Sequence, residues 1–192
     1  MSKSKGRAEP EWRFRLAYHE AGHAVMVWLM EQRTLMATIV PDEDCGGKVL
    51  YEMSDCDTVG DYYRDQLMFF IAGNAAELVF VDLPLEEYTR GDRWTAVRML
   101  EAIASFSSGS RAEPVWEGLD YEEPPDFETE RYDALIDKYR AAFESAFEEA
   151  MDILYEEQWA VHAVATALLR RGTLSGREIS SIIDGVVWSQ EA

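Results

Sequence analysis

Apolar residues recur three and four positions apart along most of this chain, which is the spacing of an amphipathic α-helix. The first such segment covers residues 12–31 and contains no proline. The same spacing predicts further helices at residues 62–81, 94–106, 127–155 and 156–171, and a last short helix that Ser175 caps and that runs to Val187. We expect Gly172 to end the helix before it, because glycine is the usual residue just after a helix.

Two short segments between the first and second helices have a different pattern. Residues 35–40 are rich in apolar and β-branched side chains and stop at Pro41, and residues 48–52 follow a stretch of turn-forming residues. We expect a small hairpin or a three-stranded sheet here. The predicted fold class is therefore mostly α, of the α+β kind, with a minor β element near residues 35–52.

The length of the chain favours a single domain, since 192 residues suffice for one well-packed core and are few for two. We expect residues 1–10 to form a flexible polar tail and residues 11–192 to form that domain. Residues 107–129 are rich in glycine, proline, serine and acidic side chains. This composition predicts a long surface loop, which could serve as a lid over a cleft.

A net charge of −19, from 37 acidic and 18 basic residues, narrows the choice of partners. Nucleic acids and anionic membranes both attract clustered basic surfaces, so we expect neither as a partner. The most apolar stretch contains His19, Glu20 and His23, which argues against a membrane span, and no signal peptide is evident. Cys45 and Cys56 are expected to be free thiols of a cytoplasmic protein, with a disulfide between them as the alternative.

The candidate chemistry is concentrated in the segment His19-Glu20-Ala21-Gly22-His23. Residues four apart on a helix share one face, so both imidazoles can reach one metal ion while Glu20 lies beside it. This HExxH arrangement supplies two ligands and a general base in zinc peptidases. Gly22 would permit another chain segment to approach the helix closely. The remaining histidine, His162, lies among alanine, valine and leucine, and we expect it to be packed or on the surface instead of binding metal.

A catalytic zinc ion normally has three protein ligands and one open position. Two acidic residues downstream could supply the third ligand. Glu77 ends the run Gly73-Asn74-Ala75-Ala76-Glu77, which is predicted to be helical, and Asp92 heads the next predicted helix. Both positions are compatible with the role, so the residues alone leave the choice open.

The segment Ala17-Tyr18-His19-Glu20-Ala21-Gly22-His23-Ala24-Val25 resembles the peptidase signature of the FtsH family of ATP-dependent zinc metalloproteases. Over about residues 12–187, further similar segments follow in the family's order: Thr38-Ile39-Val40-Pro41, residues 72–80, Asp92 with Thr95-Ala96, residues 150–154, residues 167–169 and residues 172–176. The resemblance implies a helical peptidase domain in which His19, His23 and Asp92 hold Zn²⁺. It also implies that Glu77 is a supporting group that helps to hold the helix bearing the signature.

The resemblance further implies a metalloendopeptidase that cleaves unfolded or flexible polypeptides, with Glu20 activating a zinc-bound water. We expect the strand near Thr38 and Pro41 to bind an extended substrate by edge pairing. The GxxxxGK[ST] pattern of a phosphate-binding loop does not occur in the chain. We therefore expect a peptidase domain without the family's ATPase module or membrane anchor, which acts without ATP or is served by a separate ATPase. A homo-oligomer is also compatible with the family.

The alternative function is a catalytically retired domain that serves as a protein-binding or regulatory module. Arg90 and Arg93 flank Asp92 and favour this alternative, because an arginine paired with the carboxylate would weaken metal binding. Glu20 favours the enzyme, because a binding module needs no general base.

Overall fold

The computed structural model describes residues 9–42, 46–53, 58–81, 90–107 and 129–190. Within these ranges the elements follow in the order α1 (Glu9–Leu29), β1 (Arg33–Thr38), β2 (Lys48–Glu52), α2 (Val59–Val81), α3 (Arg90–Ser107), α4 (Thr129–Glu156), α5 (Gln158–Arg171), β3 (Thr173–Ser175) and α6 (Gly176–Gln190). The mostly α-helical fold class is confirmed, and the predicted helix ends differ from the observed ones by at most four residues. Residues 108–128 of the predicted loop or lid lie outside the described residues, as do residues 1–8, Cys45 and Cys56.

Helices α1 and α2 form the centre of the core. Residues 17–27 of α1 and 67–77 of α2 are buried without interruption, and many of them are alanine or glycine. Small side chains let two helix axes come close together. At Gly22 the two helices approach closely, because a Cβ atom there would lie 2.5 Å from the carbonyl oxygen of Ala72. Around this pair, α5 packs against α1, while α3 and α4 pack against α2.

The three strands form an antiparallel sheet in the order β2-β1-β3. The predicted hairpin is confirmed, with pairs from Arg33↔Glu52 to Thr38↔Lys48. The third strand comes from the far end of the chain, where Thr173 pairs with Thr38. Because β1 has a partner on each side, the expectation that this strand offers an edge to substrate is wrong, and β2 and β3 hold the outer positions.

Two helix ends explain how the chain turns back into the sheet. After α1, Glu31 adopts a left-handed conformation with φ 57°, and the N–H groups of Glu31 and Gln32 donate to the carbonyl oxygens of Trp28 and Val27, both at 3.0 Å. This is the Schellman pattern of a helix C-terminus. After α5, Gly172 has φ 79° and donates to Leu168 at 2.7 Å, as the sequence predicts for a terminating glycine. None of the helices in the described ranges is both long enough and apolar enough to cross a membrane.

Candidate metal centre

His19 and His23 lie one turn apart on the face of α1 that packs against α2, and each is 5% exposed. Their Nε2 atoms are 3.0 Å apart, so both imidazoles point to the same place. Helix α2 leaves room for them at Gly73. A Cβ atom at that position would lie 2.7 Å from Nε2 of His19 and closer still to Nε2 of His23. Only a residue without a side chain allows α2 to approach the two imidazoles this closely.

Asp92 reaches the same place from the first turn of α3. Its Oδ2 atom lies 3.0 Å from Nε2 of His19 and 3.6 Å from Nε2 of His23. The three residues offer one ligand atom each within 4.8 Å of one another, which is a grouping that could hold a metal ion. Of the two acidic candidates from the sequence, the structure therefore brings Asp92 to the Nε2 atoms.

Glu77 lies on the other side of the His19 ring. Its Oε1 atom is 2.7 Å from Nδ1 of His19, and its Oε2 atom accepts a hydrogen bond from Nε of Arg15. The Nδ1 atom of His23 is 2.8 Å from the backbone carbonyl oxygen of Phe69. A carbonyl oxygen and a carboxylate bound to a guanidinium can only accept, so Nδ1 is the donor in both imidazoles. In each neutral ring the lone pair is therefore on Nε2.

This arrangement makes the three converging atoms a fit for zinc. Two Nε2 lone pairs and a carboxylate oxygen face one another, and they would repel each other without a positive charge between them. Imidazole nitrogen and carboxylate oxygen are ordinary ligands of Zn²⁺. Histidines that bind a metal usually donate their other ring N–H to a carboxylate or a backbone carbonyl, as both do here.

The electrostatics of the cluster are consistent with a site for positive charge. Burial lowers the pKa of His19, but hydrogen bonds to Asp92 and Glu77 outweigh it and raise that pKa well above its usual value of 6.5. Burial raises the pKa of Asp92, but hydrogen bonds with His19 and His23 outweigh it, so that pKa lies well below its usual value of 3.8. Both shifts show that this part of the protein favours positive charge beside the Asp92 carboxylate, which is where a metal ion would also be stabilised.

Glu20 lies next to this cluster and is 3% exposed. Its Oε2 atom is buried and has no hydrogen-bond partner among the described residues. Burial raises the pKa of this carboxyl group, although the nearby His19 and His23 act in the opposite direction. The turn before β2 reaches the same carboxyl group, since a Cβ atom at Gly47 would lie 2.6 Å from Glu20 Oε1. A buried carboxylate with one oxygen left without a partner among the described residues, beside a candidate metal site, is a candidate proton carrier.

Two other residues singled out in the sequence lie elsewhere. The guanidinium of Arg93 lies over the ring of Phe143, 5.6 Å from its centroid. His162 is exposed on α5, and its Nδ1 atom is 2.9 Å from the hydroxyl group of Tyr18. An exposed position is one of the two that the sequence allows for this histidine, which we expect to be packed or on the surface. The side chain of Arg90 lies outside the described residues.

Sequence reasoning assigned no role at this site to Arg15, Gly47, Phe69 or Gly73. Arg15 could have been found, because it lies four residues before His19 and so on the same helix face. The carbonyl oxygen of Phe69 carries no signal in the sequence, since every residue has one. The two glycines matter only through what packs against them, and a single sequence does not show that.

Comparisons with known proteins agree on one family. The model of Peptidase family M41 matches residues 7–182. The ATP-dependent zinc metalloprotease FtsH of Slackia heliotrinireducens is 28% identical, over 91% of this chain and 24% of its own length. FtsH 1 of a Thermoanaerobacter species is 26% identical, over 88% of this chain and 30% of its own length. FtsH of Mycobacterium bovis is 28% identical, over 96% of this chain and 26% of its own length. The chain thus spans about a quarter to a third of these relatives.

Proposed function

Since the chain belongs to peptidase family M41, we propose that it is a zinc-dependent metalloendopeptidase that hydrolyses peptide bonds in unfolded or flexible polypeptides. The observation that carries this proposal is the convergence of His19 Nε2, His23 Nε2 and Asp92 Oδ2 beside the buried carboxyl group of Glu20, whose Oε2 atom has no hydrogen-bond partner among the described residues. The names of the relatives, which are zinc metalloproteases, support zinc as the metal.

His19, His23 and Asp92 would hold the ion, and each contributes one atom. Zinc, when bound, supplies a Lewis acid that lowers the pKa of water and polarises a carbonyl group. Glu20 takes up a proton from the water that attacks the scissile carbonyl carbon and passes it to the leaving amine. Its raised pKa supports this role, because burial makes the carboxylate a stronger base than one in water.

The outer strand β2 is the better candidate for aligning the substrate. It begins directly after Gly47, whose Cα lies against the carboxyl group of Glu20, and among the described residues no further strand pairs with its outer edge. An extended polypeptide could add to this edge as a fourth strand through backbone hydrogen bonds. Peptide substrates with N-methylated amides near the scissile bond should then show a raised KM. An unchanged KM would exclude pairing along β2.

The test of the proposed activity is cleavage of a fluorescently labelled unfolded protein by the zinc-loaded chain without ATP. Glu20→Gln should lower kcat about 100-fold or more, because it removes the general base, and zinc affinity should stay close to that of the parent. Glu11→Gln is the matched control, since it makes the same substitution at an exposed position of α1. Equal turnover in the parent and Glu20→Gln would refute the role of Glu20. A parent that binds zinc but cleaves nothing would favour a protein-binding module, or a need for a separate ATPase.

Zinc affinities of two variants test the roles of the acidic residues. Glu77→Gln should lower zinc affinity about 10- to 100-fold, which is the usual effect of losing a group that orients a metal ligand. Asp92→Ala should lower it further, because it removes an atom that would contact the ion. The reverse order of these two losses would exchange the roles of Asp92 and Glu77.

A further inference from the structure

Arg15 is linked to the candidate metal centre through two hydrogen bonds. It lies one turn before His19 on α1, and its Nε atom donates to Oε2 of Glu77. The other oxygen of Glu77, Oε1, is 2.7 Å from Nδ1 of His19. The opposite ring atom, Nε2, faces Asp92 at 3.0 Å. The chain of contacts therefore runs from a guanidinium, through a carboxylate and an imidazole, to the place where a metal would bind.

We propose that Arg15 is a positioning residue, which acts through Glu77 to determine which nitrogen of His19 faces the metal; this rests on the proposed zinc-dependent function. A guanidinium has only donors, so its hydrogen bond commits Oε2 of Glu77 as an acceptor and holds the carboxylate in one orientation. Oε1 is then placed to accept the Nδ1–H of His19. With its proton on Nδ1, the ring presents the lone pair of Nε2 to the metal.

Burial strengthens this link. The side chains of Arg15 and Glu77 are 16% and 3% exposed, so little water competes for their hydrogen bonds. The two residues also lie on different helices, α1 and α2, so the contact orients Glu77 from outside its own helix. If Arg15 is removed, the carboxylate is free to turn, and the proton of His19 can occupy Nε2, where it displaces the lone pair that a metal needs.

His23 provides an internal comparison. Its Nδ1 atom bonds to the backbone carbonyl oxygen of Phe69, which can only accept and is held in place by α2. No side chain is needed to orient this ring. The effect of Arg15 should therefore be confined to His19, whereas a merely structural role in joining α1 to α2 would disturb both imidazoles.

The test compares Arg15→Gln with Arg13→Gln, a matched control at an exposed position of the same helix. Zinc affinity is measured by competition with a chelator. Nuclear magnetic resonance of the zinc-loaded proteins follows the Nδ1 protons of both histidines. For Arg15→Gln we expect about a 10-fold or greater loss of zinc affinity and faster exchange with water of the His19 Nδ1 proton, with the His23 signal unchanged. For Arg13→Gln we expect neither change. Arg15→Lys should recover part of the affinity, since lysine keeps the charge but not the planar set of donors.

The possible outcomes separate this inference from the proposed function. If the parent binds zinc and Arg15→Gln binds it equally well, with an unchanged His19 signal, the positioning role is refuted and the peptidase proposal stands. Equal disturbance of both histidine signals would also refute it, because that result indicates a structural role. A parent that does not bind zinc would refute the proposed function. If Arg15→Gln does not fold, the same two measurements on Arg15→Lys decide the question.

Discussion

Replacing Gly73 with alanine adds one methyl group where α2 faces both imidazoles. The new Cβ atom would lie 2.7 Å from Nε2 of His19, about 0.7 Å less than the 3.4 Å at which ordinary contact begins, and closer still to His23. Helix α1 has little freedom to adjust, because the backbone of Gly22 is already in contact with Ala72 on the same face. The imidazoles must therefore turn aside, or the two helices must separate.

The expected size of the effect follows from these distances. Zinc–nitrogen bonds are about 2.0–2.1 Å long, and a working site keeps them within about 0.2 Å. A displacement of about 0.7 Å therefore removes at least one imidazole from the ligand set. We expect zinc affinity to fall by more than about 100-fold. This exceeds the loss of about 10- to 100-fold that is usual when a group that orients a metal ligand is removed. We expect overpacking to lower the free energy of unfolding by about 1–3 kcal/mol.

Zinc affinity would be measured by chelator competition, and stability by urea unfolding of the zinc-free protein followed by circular dichroism. Gly185→Ala in α6 is the control, since a Cβ atom there meets nothing within 4 Å. The control should leave zinc affinity unchanged and raise the free energy of unfolding by about 0.5–1 kcal/mol, because alanine favours the helix. A folded Gly73→Ala variant with the zinc affinity of the parent would refute this account of the site.

Two further predictions concern stability away from the site. Glu31 has φ 57°, a backbone conformation that glycine adopts more easily than other residues. Glu31→Gly should therefore raise the free energy of unfolding by about 0.5–1 kcal/mol, as measured by urea unfolding. A decrease would show that the Glu31 side chain stabilises this turn. The backbone N–H of Ser175, its hydroxyl group and Arg171 donate hydrogen bonds that lower the pKa of Glu178 to about 2 from 4.5. This group binds its proton more weakly in the folded state, so its contribution is complete above about pH 4.5 and is lost as the pH falls through about 2. The difference in Tm between the parent and Glu178→Gln should shrink over that range, and a constant difference would contradict the assignment.

Local patterns in the sequence predict most of the helices and part of the site. The spacing of His19 and His23 places both on one helix face wherever that helix packs, and Glu20 must lie beside them. The end of α5 at Gly172 is also a local feature, because a glycine just after a helix ends that same helix. These features depend on residues within one or two turns of each other, so a single sequence is enough to find them.

The sheet shows where local patterns stop being informative. The hairpin of β1 and β2 follows from turn residues and two short apolar segments. The pairing of Thr38 with Thr173 joins positions far apart in the chain, and three residues of β3 are too few to show a strand pattern of their own. That pairing decides that β1 is central, and therefore that β2 is the edge beside Glu20.

The sequence by itself determined that two imidazoles and a carboxyl group lie together on α1, because the helical repeat is a local property of the backbone. Only the tertiary structure decided what surrounds them. The packing of α2 against α1, and of α3 against α2, brings Asp92 to the Nε2 atoms, Glu77 to the opposite nitrogen of His19, and Gly73 against both rings. Glutamate and aspartate carry the same chemical group, so their identities do not distinguish these positions. The distances between the helices distinguish the two positions, and those distances depend on the packing of the whole core.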